Sequence, residues 1–394
     1  MLMYRMAKAP RSATLGPEHF PDPMKHRTLV LLGATLASFL PAQNGITLTN
    51  GVDGFLEIPY ASAVVPQSGI TLEAWLTYDD TTLPAGWRFP TVARQNIAPG
   101  QEAYFLRINA GNTGARTLTW KVVTPTGAFN CNWPFASGQL NTWTHVAATW
   151  DGAAARLFVN GVEVVSVAGN GQPLYDRGGV LRIGKGDDSG GPIEVWNGQL
   201  DEVRLWPFAR TAAEIAQAMP FHLASVPGRV STWNLDGNGA DSSGGQSAMV
   251  NFSVPFTTNS LTLTQLAAPS ALPVGLSTSG CAPLRMTFSS LPQAGNAAFA
   301  PVCTQSPANT IAFLALAFGI APAPLQVFGI DYMLDLGSTV MFVTTSSPLG
   351  VARQTIAFPS FIPQGQTFAF QYGFVDPCGS QGFSASDAMI TITQ

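Results

Sequence analysis

Polar and apolar residues alternate with a period of two along much of the chain, the pattern of strands that bury one face. Residues 69–78 (GITLEAWLTY) set Ile70, Leu72, Ala74 and Leu76 on one side and Thr71, Glu73, Trp75 and Thr77 on the other, which predicts a strand with a single core face. Residues 143–150 (WTHVAATW) alternate again. Residues 156–159 and 162–167 follow, joined by Asn160-Gly161, a pair that tolerates the positive φ values of a tight hairpin turn. Residues 143–167 are therefore expected to form a three-stranded meander. One helix has a clear start signal: in Thr211-Ala212-Ala213-Glu214 the first and last side chains each satisfy the other's exposed amide, predicting a short helix to about Ala218.

The pattern changes along the chain. All nine tryptophans fall between Trp75 and Trp233, whereas the residues beyond Pro255 are rich in phenylalanine and have none. Residues 253–280 carry the Pro, Ser and Thr character of a linker or first edge strand, which puts a boundary near Pro269. Beyond it, short alternating runs such as TVMFVTT and QTFAFQYGFVD read as strands, and residues 281–394 hold only six charges. The expected fold is all-β, with a larger module over 43–222, closing strands and a linker over 223–268, and a smaller β-sandwich over 269–394.

Residues 24–42 add a basic start (Lys25, Arg27), an apolar run from Leu29 to Leu40 and a small residue before Gln43, the signature of a secretory signal peptide starting at Met24. Export would take residues 1–42 and move the net charge from -4 to -7. Only 11% of the chain is charged and no basic stripe is present, so a nucleic-acid partner is not expected. The later apolar stretch 312–330 is broken by Pro322, Pro324 and Gln326 and predicts a buried strand rather than a membrane span. Cys131, Cys281, Cys303 and Cys378 remain after the leader; in an exported chain they predict one C-terminal bridge and at least one free thiol, without fixing the pairing.

The segments GVDGFLEIP (51–59), GITLEAWL (69–76), WTHVAATWDGAAARLFVNGVEV (143–164), LRIGKGDDSG (181–190) and GQLDEVRLWPFARTAAEI (198–215), in this order, resemble the laminin G-like jelly roll of the concanavalin A-like lectin and glucanase superfamily. The resemblance implies an antiparallel jelly-roll β-sandwich. It also implies a structural Ca²⁺ held by Asp201 together with oxygens near the GVDGF turn, where Asp53 is the matching carboxylate; the alternative is that Asp53 supports a turn and Asp201 a strand end. The C-terminal sandwich is similar to modules of exported bacterial proteins and adds no chemistry.

The catalytic alternatives lack partners. Asp188-Ser189-Gly190-Gly191-Pro192 copies much of a serine-protease nucleophile loop, but neither His145 nor His222 has the surroundings of a protease histidine, so the segment reads as a turn. A retaining glucanase of this fold aims alternating acids from one strand, whereas Asp187-Asp188 and Asp201-Glu202 are adjacent and should face opposite sides. The expectation is a non-enzymatic secreted or cell-surface protein whose jelly roll binds a carbohydrate or another extracellular surface. A structural or adhesive role is the alternative, and a hydrolase comes third. Trp87, Trp133 and Trp196 lie in loop-like sequence and are the candidate sugar contacts, whereas Trp75, Trp143 and Trp150 fit packing positions in strands.

Overall fold

The computed structural model describes residues 44–49, 54–80, 88–110, 115–187, 194–222, 231–242, 246, 249–251, 254–265, 271–278 and 280–394. No helix among them is long and apolar enough to cross a membrane. The period-two alternation builds two facing antiparallel sheets. Sheet A runs in the order β10 (Val162–Ala168), β9 (Ala154–Val159), β8 (Thr144–Trp150), β3 (Ile70–Leu76), β12 (Gly198–Trp206), β1 (Asn44–Leu48) and β16 (Phe256–Thr258), with β14 (Ser231–Trp233) also on β12. Sheet B runs β15 (Met249–Asn251), β2 (Phe55–Ile58), β11 (Leu181–Ile183), β4 (Thr91–Gln95), β5 (Tyr104–Ala110), β6 (Arg116–Thr124) and β7 (Gly127–Pro134). Between them lies one core that includes Leu72, Leu76, Leu106, Trp120, Trp150 and Trp196. This is an all-β jelly-roll sandwich. The segment after residue 222 belongs to it, because β14 and β16 extend sheet A and β15 extends sheet B.

Local chemistry sets the connections. Asn160 and Gly161 both take positive φ (48° and 79°) between β9 and β10, and a Cβ on Gly161 would stand 2.9 Å from Ala216 Cβ. The capping box forms: Thr211 Oγ1 accepts from the Glu214 amide and Glu214 Oε2 from the Thr211 amide, starting helix α1 (Ala212–Ala218). Beside it, β13 (Phe221–His222) pairs in parallel with β17 (Thr264–Gln265).

The C-terminal residues form a second sandwich. Its larger sheet runs β18 (Ala271–Val274), β28 (Ala388–Ile392), β26 (Thr367–Ser380), β21 (Ile311–Ala317) and β24 (Val340–Thr345), with β27 (Phe383–Ala385) on β26. The smaller runs β19 (Arg285–Phe288), β20 (Pro301–Thr304) and β25 (Ala352–Arg353), around a core of Phe288, Phe299, Phe370 and Tyr372. Cys281 and Cys378 form a disulfide, and Cys131 and Cys303 are free and buried.

Two expectations are corrected. The stretch 312–330 is not one buried strand: β21 is largely buried, but β22 (Ile320–Val327) is mostly exposed, forming a hairpin with β23 (Ile330–Leu334). Nor does β3 bury one face only, since Thr71 and Glu73 on its outer face are wholly buried. The reason is tertiary: α1 and the second sandwich cover that part of sheet A. Trp206, Phe208 and Ala218 pack with Leu291, Ala300 and Val302 across the junction, Arg353 Nη2 donates to the Ala209 carbonyl at 2.8 Å, and all described residues belong to one compact unit.

Candidate functional site

The outer face of sheet A carries polar chemistry along its length. At one end, β1, β3, β8 and β12 and the turn after β16 frame a cleft of about 410 Å³ lined by Thr47, Thr77, Asp79, Asn141, Trp143, Asn197, Gln199 and Ser260. Strand parity explains the lining, because Leu48, Leu76 and Leu200 point into the core and their alternating neighbours point out. The frame is stiff. Asp79 donates its amide to the Asn197 carbonyl at 2.9 Å, and Gln199 donates its amide to Thr77 Oγ1 at 3.0 Å. Gly198 (φ 138°) permits that approach, since a Cβ there would lie 2.2 Å from the Thr77 carbonyl oxygen. Trp143 is half-buried, its indole N–H donating to Ser260 Oγ at 3.2 Å, and Gln199 Nε2 reaches Thr47 Oγ1 at 3.3 Å. Asn141 is exposed and donates its backbone amide to the Tyr78 carbonyl at 2.9 Å, which sets it beside Asp79.

Further along the same face lies a buried charge network. Glu73 Oε1 accepts from Arg210, while Glu73 Oε2 stands 3.6 Å from His145 Nε2 and 3.8 Å from Arg204 Nη1. Burial alone would raise the Glu73 pKa. Arg210 first, with His145 and Arg204, outweighs it and holds the carboxyl at about 2. Burial is also the main influence on His145 and pushes that imidazole down, against the opposing pull of Glu73. Arg210 donates Nε to the Ser289 carbonyl at 3.1 Å and Nη2 to the Glu214 carbonyl at 2.7 Å, so one guanidinium joins the jelly roll, α1 and the second sandwich. The network is closed to solvent, with Glu73, Arg204 and Arg210 side chains all at 0% exposure.

Asp201 and Glu202 do not face opposite sides of the strand. A bulge between Asp201 and Arg204, with Glu202 at φ 49°, brings both acids to the outer side of sheet A. Burial first and the neighbouring Glu202 charge second push the Asp201 carboxyl up to about 8. Asp201 Oδ1 accepts from the Glu202 amide at 2.7 Å and Oδ2 from Asn259 Nδ2 at 2.8 Å. A Ca²⁺ ion takes six to eight oxygens. Both Asp201 oxygens already accept from nitrogen donors, and Asp53, the other carboxylate of the expected set, lies outside the described residues. The single cluster of three metal-capable side chains among the described residues is Cys281, Asp376 and Cys378, in which the two sulfurs are bonded to each other.

The predicted aromatic contacts fare differently. Trp196 is corrected: it is 0% exposed in the jelly-roll core with its indole N–H on the Thr77 carbonyl at 3.0 Å, and it offers no ring face to a ligand. Trp133, half-buried on β7, packs edge-on to Phe135 against the core. Trp87 lies outside the described residues, as do Asp188 and Ser189. The tryptophan at a cleft is Trp143, which its strand-end position had marked for packing. A larger groove of about 780 Å³ at the junction of the two sandwiches has no aromatic residue in its lining.

The laminin G-type model of the concanavalin A-like lectin/glucanases superfamily matches residues 50–216, which span most of both jelly-roll sheets. Solved structures similar to this chain include a proposed carbohydrate binding protein from Bacteroides ovatus (18% identity, TM-score 0.42, covering 57% of this chain and 62% of that one). Two others are the SAP-like pentraxin of Limulus polyphemus (17%, 0.33, 44% and 81%) and the CBM40 of the Ruminococcus gnavus IT-sialidase bound to α2,3-sialyllactose (12%, 0.32, 42% and 96%). No curated protein matches the chain.

Proposed function

We propose that the concanavalin A-like domain is a non-catalytic saccharide-binding module of an exported protein, with its ligand in the Trp143 cleft. The observation that carries this reading is a half-buried indole, fixed by its N–H, beside the amides of Asn141 and Gln199 and the carboxylate of Asp79. A pyranose ring has an apolar face that packs on an aromatic and a rim of hydroxyls that pair with amides and carboxylates. The volume is within the ~300–1,000 Å³ of small-molecule sites. The placement of the acids supports binding without hydrolysis. Glycosidic cleavage uses two carboxyl groups about the bond, and among the described residues Asp79 is the single acid in the cleft lining, while the Asp201–Glu202 pair is sealed at 0% and 1% exposure. A glycan array tests the proposal: selective retention of a saccharide class, lost in Trp143→Ala, supports it. Equal signals from the wild type and Trp143→Ala, or release of reducing ends from the retained glycan, would refute it.

A further inference from the structure

The two sandwiches treat apolar side chains differently. Among the described residues, Tyr60 and Val162 are the exposed large apolar residues of the jelly roll, whereas the second sandwich exposes Phe318, Phe328, Leu336, Val340, Met341 and Val343 among others. The excess gathers beside a strand edge that is open along half its length. The larger sheet of the second sandwich ends at β24, which pairs with β21 on one side; on the other, β25 meets its far end, where Thr344 Oγ1 donates to the Arg353 carbonyl at 3.1 Å and Ser346 bridges Ala352, and no strand pairs with Val340–Val343 among the described residues. Its sequence, VMFVTT, has no charge and no proline, the usual devices that keep a sheet edge from pairing. The opposite edge strand, β18, contains Pro273. The β22–β23 hairpin covers part of the outer face, packing Met333 and Leu334 on Ala315, Ala317, Ala369 and Ala388. That cover stops short of β24, where Met341 and Val343 remain 53% and 68% exposed.

We propose that β24 is a pairing edge that joins two copies of this chain into a two-fold dimer with one continuous sheet. A free strand edge specifies a strand as its occupant, through a row of backbone donors and acceptors. A second β24 meets the side-chain requirement as well. In antiparallel register with Phe342 opposite its symmetry mate, Met341 of each copy faces Val343 of the other on the outer side. Phe342 already packs against the core of its own sandwich, and its mate would extend that core across the dimer axis. The register keeps each side chain on its own face, since only a one-residue slip would exchange the faces. It places no two like charges together because the strand has none. The contact is isologous and closes on itself, so it yields a dimer rather than a fibre. Two saccharide clefts on one particle would then engage a polymeric glycan with avidity.

Sedimentation of the full exported chain over a concentration series from nanomolar to high micromolar tests this. The wild type should show a monomer–dimer equilibrium, and Val343→Lys should weaken it at least about tenfold, since each copy then sets an amine against Met341 of the other. The double variant Met341→Glu/Val343→Lys places an acid against an amine at both crossings and should recover much of the loss. The altered positions are exposed, and melting temperatures equal to the wild type's would confirm intact folding. A wild type that is monomeric throughout, a dimer indifferent to Val343→Lys, or a double variant no tighter than the single would overturn the proposal.

Discussion

Replacing Arg210 by methionine keeps a long apolar stem and removes the guanidinium that ties Glu73 to the second sandwich. Glu73 is wholly buried, with Arg210 as its main compensating charge. The magnitude can be reached by two routes. Holding the carboxyl at about 2 rather than at its ordinary 4.5 is worth about 3 kcal/mol at ~1.4 kcal/mol per pH unit. Removing one partner of a buried ion pair typically costs ~3–5 kcal/mol. The routes agree, and Arg210→Met should lower the stability to urea at pH 7 by about 3 kcal/mol. The sign with pH is fixed by the depressed value: the contribution is full above the unfolded carboxylate value of 4.5 and is lost as pH falls toward 2. The deficit of the variant should therefore shrink on acidification over that window. Equilibrium unfolding at pH 7 and at a series of acid values reads both effects. A variant within ~0.5 kcal/mol of the wild type at pH 7, the scatter expected of a surface change, would refute the reasoning.

Three further outcomes are expected. Cys281→Ser opens a bridge between residues 97 apart and should cost about 4–5 kcal/mol by loop entropy, read by urea unfolding with and without reductant. Asp201, raised to about 8, contributes stability that is full below its ordinary 3.8 and is lost as pH rises to about 8; Asp201→Asn should flatten that decline, as melting temperatures between pH 4 and 8 will show. Excess Ca²⁺ and chelator should give the same melting temperature, and a rise in Ca²⁺ that Asp201→Ala abolishes would mean that the ion displaces the Asn259 and Glu202 donors.

What could be read from the sequence was local. The β3 alternation, the Asn160-Gly161 turn and the Thr211–Glu214 box each depend on neighbours within a few residues, and each forms in the structure. The outer face of β3 could not be read this way. Alternation marks Glu73 as solvent-facing, and its partner Arg210 lies 137 residues away, on the segment that brings the second sandwich over it. The carboxylates were misjudged for a related reason, because strand parity separates Asp201 from Glu202 only in a regular strand, and the bulge at Glu202 removes that regularity. The tryptophans show the same limit. Trp196 sits among Gly, Pro and Asn yet turns inward, while Trp143 stands just ahead of β8 and continues its outward row with His145. The cleft is assembled from segments as far apart as Thr47 and Ser260, so its lining has no compact motif. One signal was available: Trp143 shares the parity of Thr71, Glu73, Trp75 and Thr77 across the β3–β8 pairing and belonged with the outward set.

Saccharide binding rests most directly on Trp143. Calorimetric titration of the protein with a saccharide selected by the glycan array should give one binding event per chain. Trp143→Ala should weaken it by about thirtyfold, the ~2 kcal/mol of a central aromatic contact, with the melting temperature nearly unchanged because the ring lies at the surface, half-buried and outside the core. Undiminished affinity in Trp143→Ala, or an equal loss on truncating Trp133 with none at Trp143, would contradict the assignment of the cleft.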